Sequence, residues 1–389
     1  MDSIKSYFEI VFKVFICISI VFISFKVFVF IGQLKKHKKK KLIKGYRNIT
    51  NNIENKNNEE IYVHSRSAYL GETKKDKPEG EGILRYDNGD VYKGEFIDGK
   101  RSGFGICIFS NKDKYEGLWK DDLMHSIGKY TYADGSFYTG DFKMGKIEGI
   151  GMLTHRNKDI YKGEFKDGLI DGKGIINYLN GDKYIGYFKN SLRHGIGKLI
   201  LSNGDKYEGE FEEDRLNGKG TYLYSNGSKY IGNFKNNVYH EHGCYTSESG
   251  DIYEGEYKYG YKRGEGILKF RNGEIYKGSF KDDLYHGKGM YTYIDNSVYQ
   301  GDFENGLRHG IGTYTCNTYK YIGEWKENYK SGIGTYYLLD GYVFEVEIKD
   351  NIIVEGTLIK ENQNNIELKN IDISVNEKEK LNDIITKNN

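Results

Sequence analysis

The chain has 389 residues with 50 glycines, a single proline and 36 tyrosines, which excludes collagen-like and flexible-linker sequence and suits short strands joined by tight turns. Its net charge of +2 is unevenly spread, with +8 on residues 1–68, −2 on residues 69–344 and −4 on residues 345–389. The bulk of the protein therefore lacks the basic surface that nucleic-acid binding needs.

Residues 1–10 are a short leading segment, and residues 11–34 read as a transmembrane helix acting as a signal anchor. Val14 to Phe25 carries no charge, Lys26 interrupts, and the apolar run resumes from Val27 to Leu34. A bilayer needs about 20 apolar residues. Lys26 costs roughly 2.5–3.5 kcal/mol at mid-helix, reduced if its side chain snorkels. The run before Lys26 also has the length of a cleaved signal's core, but no small-residue cleavage site follows. Instead come Lys35, Lys36, Lys38, Lys39, Lys40 and Lys41. A basic flank on this side places the rest of the chain in the cytosol. The same lysines are candidate contacts for anionic lipid, at about 1 kcal/mol each. Residues 35–68 form a polybasic juxtamembrane segment and linker, with an Asn- and Glu-rich spacer over 48–62.

From residue 69 the sequence repeats. Tyrosines stand 23 residues apart from Tyr69 through Tyr299, and Tyr321 closes the series one residue early. With that tyrosine as offset zero, offsets two and thirteen are glycine in all twelve repeats. Offset four is aromatic in every repeat but the first, where Thr73 stands, and offset eleven is glycine except at Ser126 and Glu241. Period-two alternation around the tyrosine predicts one strand, and apolar residues at offsets fifteen and seventeen predict a second. Asn88-Gly89, Asn203-Gly204 and similar pairs then predict type I′ turns leading from one repeat to the next. The offset-two glycine is expected to make room for the ring of the following repeat. About twelve β-hairpins over 69–343 would form an all-β, elongated antiparallel meander, a single-layer solenoid in which neighbours supply the stability. Residues 344–358 keep a fading pattern that suits capping strands, and 359–389 read as a polar, disordered tail.

The motif Tyr-x-Gly-x-Phe-x-x-Gly-x-x-His-Gly-x-Gly is complete at Tyr299, Gly301, Phe303, His309, Gly310 and Gly312. It is nearly complete at Tyr184, Gly186, Phe188, His194, Gly195 and Gly197. It resembles the MORN repeat, as found in junctophilins and in protist scaffolds. The resemblance implies a hairpin ribbon that mediates protein contacts and homodimerisation, with phosphoinositide binding as a further family property.

The recurrent chemistry-bearing residues are otherwise modest. His125, His194, His240, His286 and His309 share offset ten, but repeats two strand spacings apart, about 10 Å, hold imidazoles too far apart for one zinc ion. Paired glycines such as Gly80 and Gly82 lack the strand-to-helix setting of a phosphate loop. Cys17, Cys107, Cys244 and Cys316 form no paired motif and read as free thiols in a reducing compartment. No segment outside the repeats is long enough for a catalytic domain. The sequence thus predicts no cofactor and a non-enzymatic, membrane-tethered scaffold that presents its repeats to partner proteins in the cytosol. The alternatives are a phosphoinositide-binding membrane-contact protein and a regulatory subunit of a lipid kinase.

Overall fold

The structure, a computed structural model, describes residues 61–64, 67–339, 341–349, 351–360 and 371–372. The apolar segment 11–34 and the lysines from Lys35 to Lys41 lie outside the described residues. Within these the protein is all-β and antiparallel, and it divides into two units at Ser202 and Asn203.

The first unit opens with β1 (Ile61–His64), β2 (Ser67–Lys74), β3 (Lys77–Arg85), β4 (Val91–Ile97) and β5 (Lys100–Ile108). Each strand pairs with its neighbours in sequence, and the rhythm continues to β12 (Lys183–Lys189) and β13 (Leu192–Ile200). The second unit runs likewise from β14 (Lys206–Glu212) and β15 (Arg215–Leu223) to β24 (Tyr319–Lys326) and β25 (Tyr329–Leu338). It ends with β26 (Tyr342–Lys349), β27 (Ile352–Lys360) and β28 (Ile371–Asp372). The expected linker therefore contributes a strand at its end, and the expected tail contributes part of β27 and all of β28. Residues 344–358 belong to a thirteenth hairpin. Phe344, Val346 and Ile348 are buried there, and Val346 takes the register position opposite Gly334 that a glycine holds elsewhere.

The turns exchange the places expected of them. The type I′ turn lies inside each repeat, as at Asp98-Gly99, where both residues have positive φ (49° and 83°). That geometry matches the twist of the flanking strands. The Asn-Gly pairs sit instead in three-residue loops between repeats. Gly89 has φ +93° and Asn88 does not have positive φ. The Tyr86 N–H donates to Asp90 O at 2.9 Å, and Gly89 N–H donates to Tyr86 O at 3.0 Å. This is a turn closed by one left-handed residue, which also suits an Asn-Gly pair. The asparagine is used through its side chain, since Asn88 Oδ1 accepts the Asp90 N–H at 3.0 Å.

A sheet one layer thick has to make its own core. The glycines at offsets two and thirteen face one another across successive strands, as in Gly82–Gly94–Gly105–Gly117, and leave a bare stripe. The tyrosine of the same repeat lies across it, not the ring of the next repeat. A Cβ on Gly105 would stand 2.2 Å from the Tyr92 hydroxyl. Tyr92 is fully buried, and its hydroxyl donates to Glu95 O at 3.0 Å. Its ring meets Phe96 of its own repeat and Trp119 of the next edge-on, with centroids 5.1 and 5.3 Å away. The zigzag continues through Tyr115, Phe142, Tyr138, Phe165 and Tyr161. In the second unit it runs from Phe211 through Tyr207 and Phe234 to Trp325 and Tyr321. Each edge-to-face pair adds about 0.5–1.5 kcal/mol beyond burial, so within each unit the zigzag ties one repeat to the next.

Candidate functional site

The signature residues are placed as packing elements. Tyr184 and Tyr299 are fully buried, and Phe188 and Phe303 are nearly so. Gly186 pairs with Gly197 and Gly301 with Gly312 beneath the two tyrosines. Burial pushes the Tyr299 hydroxyl far above its ordinary range, which removes it as an acid near neutral pH. The Cys107 thiol is raised to about 11 by burial, leaving too little thiolate for reaction. His194 lies opposite Tyr187 and His309 opposite Asp302 at the edges of bulges. The Nδ1 atoms of His240 and His286 are buried without a hydrogen-bond partner.

The bulge makes one position different from the rest. Two extra residues bulge from the second strand of each of the twelve repeat hairpins, beside the left-handed residue at offset eleven. That leaves the N–H at offset twelve without a ladder partner. In four repeats a carboxylate at offset three takes it up. Glu95 accepts the Phe104 N–H at 3.1 Å, Asp141 that of Ile150 at 3.1 Å, Glu210 that of Lys219 at 3.1 Å and Asp302 that of Ile311 at 3.2 Å. Leu118, Tyr187, Asn233 and Ser279 stand at this offset in four others, and in the sixth repeat the Ile196 N–H therefore meets no carboxylate from its own hairpin. Gly195 keeps the bulge geometry, with φ +62°. An open groove of about 730 Å³ lies there, lined by Leu169, Tyr187, His194 and Ile196 with Lys166 and Lys189 at its margin. Its acids are engaged: Asp167 pairs with Lys146 at 2.8 Å, and Asp171 accepts the Asn190 N–H at 3.2 Å.

A second cluster forms where the repeat loses one residue. Tyr319 is buried there, and Lys330 is 6% exposed. The Lys330 ammonium donates to the Tyr319 hydroxyl at 3.0 Å and lies 4.8–5.9 Å from the ring centroids of Tyr314, Tyr319, Tyr321, Trp325 and Tyr336. Burial, with Arg308 adding repulsion, lowers its pKa to about 8. Arg308 stacks on Trp325 at 4.4 Å and donates to Asn328 O at 2.9 Å. Arg101 does the same with Trp119, at 4.2 Å, and Asp122 O, at 2.8 Å. Both tryptophans of the chain thus lie beneath an arginine of the preceding repeat, a cation–π pairing that the sequence carries as Arg at offset nine followed by Trp at the next offset four.

Twelve tandem segments, from 69–91 through 299–319 and 321–341, match the MORN repeat family. The chain is a MORN repeat protein. No curated protein matches it significantly. Among solved structures, the TCP domain of SAS-4 (dCPAP) of Drosophila melanogaster, in complex with a proline-rich motif of Ana2 (dSTIL), is 20% identical. That match covers 40% of this MORN chain and 85% of the other, with a TM-score of 0.26. The TCP10 domain of Danio rerio CPAP is 14% identical over 57% of this chain and 93% of its own, with a TM-score of 0.23. A streptogramin B lyase is 12% identical over 72% and 86%, with a TM-score of 0.13.

Proposed function

We propose that this MORN repeat protein is a membrane-tethered scaffold whose repeats present docking surfaces to partner proteins in the cytosol. The observation that carries the reading is the contrast between the two faces of the sheet. One face is consumed by the aromatic zigzag. The other leaves apolar side chains open at a recurring place, with Ile196, Ile311 and Ile333 at offset twelve 54%, 56% and 61% exposed. Such side chains rimmed by charge suit protein contact. The apolar run over 11–34 and the lysines from Lys35 to Lys41 supply the tether, combining the two signals that make anchoring durable. The charge of −2 on residues 69–344 counts against the repeats themselves holding anionic lipid. Protease added to sealed organelles tests the orientation: the repeats should be digested from the cytosolic side, and their protection would overturn it.

A further inference from the structure

The groove of the sixth repeat has a feature that its sister repeats explain. Where the offset-three residue is Glu95, Asp141, Glu210 or Asp302, the chain's own carboxylate satisfies the bulge N–H. Tyr187 cannot do so. It offers a ring that is 38% exposed, beside Leu169 at 45% and Ile196 at 54%. Cationic side chains surround the position: Lys166 and Lys189 line the groove, and the Lys173 ammonium lies 5.4 Å from the Tyr187 ring centroid. His194 adds an imidazole.

We propose that this groove docks an extended acidic segment of a partner protein. A glutamate or aspartate of the partner takes the place that Glu95 or Asp141 holds in its own hairpin. Its carboxylate accepts the Ile196 N–H and faces Lys166 and Lys189, while apolar neighbours lie on Tyr187, Leu169 and Ile196. The chemistry is set by charge complementarity and by the example of four other repeats. Charge-assisted hydrogen bonds to backbone N–H groups are the stronger kind, and the two groove acids already have partners. The proposal deepens the scaffold reading by giving it one site and one class of partner. The protease test of orientation does not involve the groove, so either can fail alone.

The test uses the full chain and fluorescein-labelled pentapeptides with a glutamate, or a glutamine, between two valines. Fluorescence polarisation should show saturable binding of the glutamate peptide, weakened at least tenfold by glutamine. Tyr187→Glu should place an internal carboxylate on the bulge, as in the sister repeats, and weaken binding at least tenfold without lowering the melting temperature. Tyr187→Phe should retain binding, which separates the charge effect from loss of the ring. Equal binding of the two peptides, undiminished binding by a folded Tyr187→Glu variant, or no saturable binding at millimolar peptide would each overturn the proposal.

Discussion

Gly209 and Tyr207 set the tightest residue-scale constraint. A Cβ on Gly209 would lie 2.5 Å from Gly220 Cα and 2.5 Å from the Tyr207 hydroxyl, and a backbone atom cannot swing aside. Gly209→Val is expected to destabilise the array by about 1–3 kcal/mol, the typical cost of overpacking. Tyr207→Phe removes only the hydrogen bond to Glu210 O, 2.9 Å long, and should cost about 1 kcal/mol. Thermal melts that rank the two variants the other way would contradict the packing. Lys330 gives a second residue-scale test. Its folded pKa of about 8 lies below the ordinary 10.5, so the unfolded chain binds more protons between those values. The contribution of Lys330 should therefore rise with pH from about 8 toward 10, opposing the loss that the buried tyrosines, with raised pKa, impose as the unfolded chain begins to ionise. Lys330→Met, which fills the aromatic cage without a charge, should abolish that rise and stabilise the protein at pH 7 by up to roughly 3 kcal/mol. Denaturant melts at pH 7.5 and 9.5 would read both effects.

Between elements, the turns and loops hold each repeat to the next. The Gly99 N–H donates to Pro78 O at 2.9 Å, and Asp122 Oδ1 accepts the Arg101 N–H at 2.9 Å. In the loops, Asp205 Oδ1 accepts the Ser225 N–H at 2.8 Å and its Oδ2 the Tyr222 hydroxyl at 3.0 Å. The Ser225 N–H holds the Asp205 carboxyl below its ordinary range. This contribution is complete above the usual carboxylate pKa of about 4 and is lost as pH falls through the lower folded value. Asp205→Asn should weaken the second unit at pH 7 and flatten its loss of stability between pH 4 and 2, which circular dichroism melts would follow. An unchanged acid limb would show that the loop bond is idle. The hairpins and their glycine stripe were legible in the sequence because period-two alternation and a 23-residue repeat report strands directly. The turn assignment was not. Asn-Gly fits both a type I′ turn and a loop with one left-handed residue, and the true I′ positions also hold Glu213-Asp214 and Met144-Gly145, which carry no common signature. The sixth-repeat groove escaped for a related reason. It depends on a carboxylate absent at Tyr187, which matters only once the bulge has shown where Glu95 and Asp141 reach.

At the scale of the whole molecule, the repeats account for packing, and the proposed tether assigns place to the N-terminal segment. The MORN array supplies no apolar run near the 20 residues a bilayer needs, and its charge is slightly negative. Residues 1–44 combine an apolar stretch with a basic flank. Their roles should separate physically. Each hairpin is stabilised by its neighbours through rings, turns and loops, so a chain starting at Glu59 keeps every repeat contact described above. The most direct measurement is alkaline carbonate fractionation of residues 59–389 beside residues 1–44 fused to a reporter. The account predicts the array in the soluble fraction and the reporter in the membrane pellet. An array that stays in the pellet through carbonate and high salt would contradict it and assign membrane binding to the repeats.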